Sequence, residues 1–537
     1  MFLALLALAL TGSTAGALAA EAASPLRRIS AVVLPPFAEG AAGRELALGI
    51  ADRAGAELFA TGSYKHFHLR QVLAAARRHG MDAEALGRPA QALRAVRILA
   101  AASGAFGSLQ RRAGGGWTLV CTAFDTRSGK RIDRRAALPA DTARALMEGG
   151  RLMASALADL HAERLTGPSA AAGLHPHSSS GPAVEAYLAC YAVLVDQPLG
   201  LRTSLTLDPQ RIAEARSSCK RAVELDPDFA AAWAALSLAQ ALAFENQAAA
   251  EALGKAQRAK GYLPYANIAR YWLATRFRSS AEGARVLREA VRVHPGALIF
   301  AMQLGEHLNI TGRYAEALET WEQVLDMVPG SPYALAQKGY SLARLGRLEE
   351  SIATSRTASD MDPDCLDLKL ELASRLVDAR KLDEAEALLL PMCRDPRCYG
   401  EILLRLGYVY LLERKDDKAE DLFGRALAMA KGPDEWRTRG RARYDLAIVS
   451  ARRGKLGEAE RHLLAAAEEG FIFAELIEKD PDLEPLSGRA AIKTLGGGKR
   501  AAKKLILHAT PFPVDFAGKP VPDAARPQPP QMTGVTF

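Results

Sequence analysis

The stretch LGEHLNITGRYAEALETWEQVLDMVPGS, Leu304 to Ser331, decides the fold. Leu304 and Gly305 sit in one apolar-periodic segment, and Tyr314, Ala317 and Trp321 in a second. The i, i+3, i+7 spacing of the second group predicts one buried helical face. Thr311-Gly312-Arg313 lies between the segments and Pro329-Gly330 follows them, so two helices joined by a tight turn are predicted, the second ended by proline.

The same pattern recurs at a fixed period. Pro227, Pro295, Pro329 and Pro363 are separated by 68, 34 and 34 residues, and Gly305/Gly339 and Gly312/Gly346 are each 34 apart. Ala222, Ala290 and Ala358 each precede such a proline by five residues. Further copies carry Leu406, Gly407, Ala419, Phe423 and Ala426, then Ala447, Ala459 and Ala466; Trp233 occupies an aromatic slot. This repeat resembles the tetratricopeptide (TPR) unit, a pair of antiparallel helices. About seven units are expected between Val184 and Gly470, within a repeat domain spanning 183–495. The expected fold class is therefore an α/β N-terminal domain plus an all-α TPR solenoid, mostly helical overall.

Upstream the pattern differs. Ile29 to Phe37 is a β-branched apolar run stopped by Pro35-Pro36, and reads as a buried strand. A helical segment follows, then a short HFHLRQ read as a second strand. The segment AEALGRPAQALRAVRILAAA reads as helix, then strand. Gly104–Leu109 and Trp117–Phe124 alternate around the glycine-rich break Arg111–Gly116, a hairpin signal. A helix from about Pro139 to Arg164 closes a domain placed at 28–165. Residues 166–182 are rich in Gly, Pro and Ser and read as a linker.

Both ends of the chain look different again. Residues 1–20 join an apolar run, Phe2–Leu10, to small residues with an Ala17-Leu18-Ala19 cleavage pattern, and read as a secretory signal peptide lacking a basic start. No stretch has the ~20 apolar residues of a membrane span. Residues 496–537 form a basic, proline-rich tail, and Lys493, Lys499, Arg500, Lys503 and Lys504 offer either a solvated segment or a peripheral contact with an acidic membrane surface. The net charge of +8 is spread over 69 basic and 61 acidic residues, so no concentrated nucleic-acid face is expected. Six cysteines suit an oxidising compartment. Cys393 and Cys398 are close enough in sequence to pair as a disulfide, while Cys190 and Cys219 are either small core residues on neighbouring helices or a second bridge. One short cysteine pair does not make a zinc site.

The chemistry-bearing patterns are weak. Gly114-Gly115-Gly116, Gly129-Lys130 and Leu495–Arg500 all lack the G-x-x-x-x-G-K-[ST] spacing that wraps a phosphate, so they read as turns. Ser217–Lys220 matches S-x-x-K inside a repeat helix without its partner motifs. His66/His68 and His175/His177 have no acidic or third ligand nearby in sequence. No catalytic constellation, cofactor or metal is expected. What remains is a surface, because the first helices of stacked units line one face. Glu306, Asn309, Tyr340, Arg344, Ser374 and Tyr408 are predicted to face a peptide-binding groove there.

The N-terminal elements resemble a TolB N-terminal-like domain. The residues carrying the resemblance are the strand into AVVLPPFAEG, Gly107-Ser108, the Arg111–Gly116 loop and the Asp125–Gly129 segment. Glu468–Gly488 resembles the closing segment of TPR proteins that carry such a domain. The resemblance implies a small α/β domain that binds other proteins and is not an enzyme. The expected function is a non-enzymatic exported scaffold or adaptor in the bacterial cell envelope, periplasmic or secreted, with protein or peptide partners and no nucleic acid. Two alternatives stand beside it: an enzyme or regulator with a non-contiguous site in the N-terminal domain, and a cytoplasmic TPR co-chaperone.

Overall fold

The computed structural model describes residues 29–61, 63–81, 83–161, 178–196, 209–258, 264–277, 279–395, 398–432, 435–469, 480–486, 489 and 492. The expected leader (1–20), the tail (496–537), His175 and His177, and residues 166–177 of the expected linker (166–182) lie outside these residues. The chain forms two compact units, one ending at Lys338 and one beginning at Gly339.

The first unit opens with a mixed sheet. Its strands are β1 (Ile29–Val33), β2 (Phe37–Ala38), β3 (Tyr64–His66), β4 (Ser103–Arg111), β5 (Trp117–Asp125) and β6 (Arg131–Leu138), in the order β3-β1-β4-β5-β6 with β2 paired to β4. β1 runs parallel to β3 and β4, whereas β4, β5 and β6 form an antiparallel meander. The predicted hairpin is present, in register from Ser103↔Asp125 to Arg111↔Trp117. Its glycine-rich break is the turn, with Gly115 and Gly116 at φ 86 and 74, where a side chain would be strained.

Three local readings change. The strand expected at the end of AEALGRPAQALRAVRILAAA is not formed: a helix continues to Ile98 and the next strand begins only at Ser103. HFHLRQ is strand only as far as His66; His68 instead caps the next helix, its Nδ1 accepting from the Arg70 amide at 3.2 Å. The two histidines therefore do not share a strand face. β6 went unread because RIDRRAAL offers almost no apolar alternation.

Helices α1 (Ala41–Ala60), α2 (Leu69–Arg78), α3 (Pro89–Ile98) and α4 (Thr142–Leu160) complete this layer. The Asp141 side chain caps α4 by accepting from the Arg144 amide at 2.8 Å, satisfying one of the helix's orphan donors. Helices α1 and α4 pack on each other, and α4 also packs on β5 and β6.

The helical part consists of α5 (Gly181–Asp196), α6 (Pro209–Leu225), α7 (Ala230–Leu242), α8 (Asn246–Ala256), α9 (Pro264–Phe277), α10 (Ser280–Val293), α11 (Leu298–Ile310), α12 (Tyr314–Met327), α13 (Pro332–Arg344), α14 (Leu348–Met361), α15 (Leu366–Asp378), α16 (Leu382–Met392), α17 (Gly400–Leu412), α18 (Asp416–Met429), α19 (Trp436–Arg452) and α20 (Leu456–Glu468). These are the helix pairs that the 34-residue period predicts, and the fold is an α/β layer followed by a TPR-like array.

In the first unit one hydrophobic core runs from Ala31 to Ala334, so the sheet layer and the early repeats share it. Gly49 of α1 admits Leu188 of α5 so closely that a Cβ would lie 2.4 Å from Leu188 Cδ2. The Lys65 ammonium donates to the Met327 carbonyl, and Gln71 Nε2 meets Met302 Sδ at 2.8 Å. The α/β layer is thus fused to the repeats by packing.

A disulfide joins Cys190 on α5 to Cys219 on α6, with Cα atoms 5.3 Å apart. This separation is ordinary for a bridge, and the two cysteines face each other across paired helices. The possible Cys393–Cys398 bridge is not formed. Both are thiols, Cys393 at the end of α16 and Cys398 just before α17. Burial pushes the Cys393 thiol up to about 12 and raises Cys398 as well.

The turn inside successive pairs needs a left-handed residue. Gly312, Gly346, Arg380 and Arg414, one per period, have φ 76, 79, 59 and 60. Glycine reaches this region without steric cost, whereas arginine is strained by roughly 1 kcal/mol. Arg380 is exposed. We therefore expect Arg380→Gly to stabilise the second unit by about 0.5–1 kcal/mol in urea unfolding.

Candidate functional site

The first helices of the repeat pairs carry most of the residues singled out from sequence. In the first unit, the Glu306 carboxylate accepts from the Tyr333 hydroxyl of the next pair. The Asn309 amide is buried and reaches the Gln337 side chain at 3.4 Å. Both therefore tie α11 to α13. Nearby, His307 is held at both ring nitrogens: Tyr271 Oη lies 3.0 Å from Nδ1, and the Ser280 carbonyl 2.8 Å from Nε2. Burial drives this imidazole down to about 4, so it is a neutral structural bridge.

In the second unit the helices α15, α17 and α19, with the end of α13, carry a row of arginines and tyrosines. The Arg375 guanidinium lies 5.2 Å from the Tyr340 ring, and Arg441 5.1 Å from Tyr408. Such stacking leaves the guanidinium edge available for hydrogen bonding. Arg375 also approaches Glu371 at 3.7 Å and Asp378 at 3.6 Å, Arg405 approaches Glu401 at 3.6 Å, and Arg441 bonds Asp445 at 2.7 Å.

Burial raises the Asp378 carboxyl, while Arg375, Arg405 and Arg344 pull it down. Asp445 is wholly buried and raised for the same reason, despite Arg441. Several polar atoms of this row have capacity to spare. Arg375 Nη1, Arg405 Nε and Asp445 Oδ1 are enclosed and have no hydrogen-bond partner among the described residues. Groups left this way cost about 1–3 kcal/mol each unless something meets them.

Of the six predicted residues, Tyr340 and Tyr408 supply the stacking faces of this row and Arg344 adds its charge. Ser374 is turned inward, its hydroxyl spent on the Leu370 carbonyl at 2.8 Å. Sequence reasoning missed Arg375, Arg405, Arg441 and Asp445. The available signal was an arginine and an acid three or four residues apart on successive first helices.

A second feature of this unit is a pocket of about 450 Å³ among α16, α17 and α18, lined by Leu390, Cys393, Tyr410, Lys418 and Arg425 among others. The Tyr410 hydroxyl donates to Glu386 at 2.8 Å, and Lys418 lies 4.9 Å from its ring.

The α/β layer contains one strongly perturbed acid. Asp52 lies 3.8 Å from the wholly buried His68 and beneath the cluster of Tyr187, Tyr191 and Tyr265. Burial pushes its carboxyl up to about 6, against the Tyr191 hydroxyl and Arg53. His68 Nδ1 is already used as a helix cap, and its ring packs on Tyr265 at 5.6 Å. The cluster joins α1 and α2 to α5 and α9, with the His68 imidazole wholly buried among them. Its folded-state pKa lies above the usual 3.8, so this group favours folding most below pH 3.8 and that contribution is lost as pH rises through about 6. Asp52→Asn is expected to remove this loss, making the variant more stable than the parent by about 1–2 kcal/mol at pH 8. Thermal unfolding of both proteins at pH 5 and pH 8 measures it.

No helix among the described residues is long and apolar enough to cross a membrane.

Residues 272–332 and 311–364 match the tetratricopeptide repeat family. No curated protein sequence matches the chain. Among solved structures, a TPR protein from Parabacteroides merdae is similar over 49% of this chain and 98% of its own, at 15% identity and a TM-score of 0.38. TTC0263, a TPR protein of Thermus thermophilus, is similar over 39% of this chain and all of its own, at 25% identity and a TM-score of 0.30. YrrB, described as a TPR protein with an unusual peptide-binding site, is similar over 35% of this chain and 93% of its own, at 17% identity and a TM-score of 0.25. Within the helical array, residues 272–364 are thus TPR repeats, and TPR arrays are scaffolds for protein interaction.

Proposed function

We propose that this chain is a non-enzymatic adaptor of the bacterial cell envelope, holding one partner on its repeat face and another on its TolB-like α/β layer. The observation that carries this reading is the row Tyr340–Arg375 and Tyr408–Arg441, with neighbouring Arg405. It offers planar donors and aromatic faces. Such a surface fits an extended peptide bearing carboxylates and backbone carbonyls, the groups guanidinium forks recognise.

Export is supported by the leader-like residues 1–20 and by the Cys190–Cys219 bridge, which an oxidising compartment would maintain. Cell fractionation with N-terminal sequencing tests this part. A mature chain lacking residues 1–20 and recovered with the bridge oxidised agrees with it. Retention of those residues on a cytoplasmic chain overturns it and favours the co-chaperone reading.

Capture from native envelopes tests the adaptor role, using the full chain and an Arg405→Glu/Tyr408→Ala variant. The variant is expected to lose one set of captured proteins and keep another. An unchanged set removes the repeat face from the account. The shared core makes point substitution preferable to deletion of residues 28–165, because deletion would strip α5 and α9 of their packing partners.

A further inference from the structure

We infer that the edge of β6 away from β5, which no strand among the described residues pairs, is a strand-addition site for an extended acidic peptide. This deepens the docking role proposed for the α/β layer and rests on it.

The sheet has two ends, and they differ. The β3 end is three residues long and is held against the repeats through Lys65 and the Met327 carbonyl. The β6 end is eight residues long and contains no proline. Its register with β5, together with the Asp125 amide to Lys130 carbonyl bond of 3.0 Å, fixes which backbone groups face inward. Lys130, Ile132, Arg134, Ala136 and Leu138 are the residues paired by hydrogen bonds to β5. Arg131, Asp133, Arg135 and Ala137 therefore direct their N–H and C=O groups to the open edge. Of these, the Asp133 carbonyl is met by the Arg134 guanidinium at 3.2 Å. Such an edge is a template for another strand.

Side chains follow the same alternation. Ile132 and Ala136 pack toward the core, and Arg134 reaches Asp159 on α4 at 2.9 Å. Arg131, Asp133, Arg135 and Ala137 are exposed on the opposite face, beside exposed Val120 and half-buried Thr118 of β5. Asp133 is turned onto the sheet, where Thr122 Oγ1 donates to it at 2.5 Å. The outward charge is thus positive: Arg131 and Arg135 flank the single acid Asp133 on this face.

Charge complementarity selects the occupant. A second β6 would set arginines against arginines, and like charges across a strand pair are unfavourable. A single-stranded nucleic acid would want aromatic platforms, whereas this face offers threonine, valine and arginine. An extended segment with acids four residues apart would place them beside Arg131 and Arg135, with a small or hydroxyl side chain beside Asp133.

The test uses the full chain and the peptide acetyl-Thr-Glu-Val-Thr-Val-Glu-Thr-amide, followed by calorimetry and amide hydrogen exchange. Binding that weakens with salt and protects the amides of Arg131, Asp133, Arg135 and Ala137 is the expected result. Arg131→Glu/Arg135→Glu should weaken it more than about tenfold. Ala137→Pro removes one outward N–H without touching the β5 ladder, and should weaken it by about fivefold. Retained exchange protection at Leu119 and Cys121 shows that both variants are folded.

Several outcomes would overturn the inference: no protection at β6, equal binding of the peptide with both Glu replaced by Lys, tighter binding of an oligothymidylate, or pairing of β6 with a second copy of the chain. If any of these occurs while envelope capture still depends on Arg405 and Tyr408, the repeat-face reading stands and only this edge is rejected. If capture also becomes independent of those residues, the adaptor reading falls with it.

Discussion

Trp321→Ala is expected to destabilise the first unit by about 3–5 kcal/mol, the range for removing a large buried aromatic. Trp321 is wholly buried and meets Tyr333 edge-on, with ring centroids 5.8 Å apart. It also fills the space left by Gly305, where a Cβ would lie 2.5 Å from Trp321 Cε2. The substitution therefore opens a cavity between α11, α12 and α13, and the helices can close it only by shifting together. The indole N–H has no hydrogen-bond partner among the described residues, so Trp321→Phe should lose much less, since no polar bond is broken. Urea unfolding followed by far-ultraviolet circular dichroism compares the two. Equal losses for Ala and Phe would show that volume is not what holds this contact.

The second large effect is expected at the same place in a later repeat. Gly407 and Phe423 stand three 34-residue periods after Gly305 and Trp321. A Cβ on Gly407 would approach Phe423 Cε1 to 2.5 Å and Cδ1 to 2.9 Å. Phe423 is wholly buried, so its ring has no room to withdraw. Gly407→Val should destabilise the second unit by about 3 kcal/mol, the upper end of overpacking costs. Adding Phe423→Leu should recover part of the loss, because the two sites share one volume and their effects are not additive. The double variant's unfolding midpoint checks this; a midpoint equal to the sum of the single losses would mean that the two residues do not compete for space. At the equivalent intermediate position Gly339 faces Ser355, where a Cβ would lie 2.4 Å from Oγ. The repeat thus keeps the close approach while varying the residue that fills it.

This geometry explains what the sequence made legible. Close helix approach restricts residue size at fixed intervals, and the turn restricts φ at fixed intervals, so both leave a 34-residue trace. The β4–β5 hairpin was legible because one of its faces is buried and its turn needs glycine. β6 left no such trace. Arg131, Asp133 and Arg135 on its outer face are exposed and obey no apolar pattern, and only Ile132 and Ala136 mark the inner one. The Cys190–Cys219 bridge was only one of two open readings, because its partners come from different helices and nearness in sequence favoured Cys393 and Cys398.

The arginine row was hidden differently. Period and residue type identify the first helices, but they do not fix each helix's rotation to within one residue. Ser374 was chosen where its neighbour Arg375 carries the stacking contact on Tyr340. The fusion of the α/β layer with the early repeats was also unreadable. It depends on contacts such as Gly49 with Leu188 and His68 with Tyr265, between residues far apart in the chain.

The most direct measurement for the adaptor reading is site-specific photocrosslinking in intact cells. A benzoylphenylalanine would replace Tyr408 on the first-helix face or Glu349 on α14, whose side chain is 76% exposed. Protein adducts at position 408 that disappear with Arg405→Glu, alongside none at position 349, are the predicted result. Adducts of equal yield at both positions, or at position 349 alone, would contradict the claim that the arginine–tyrosine row of the repeats is where a partner is held.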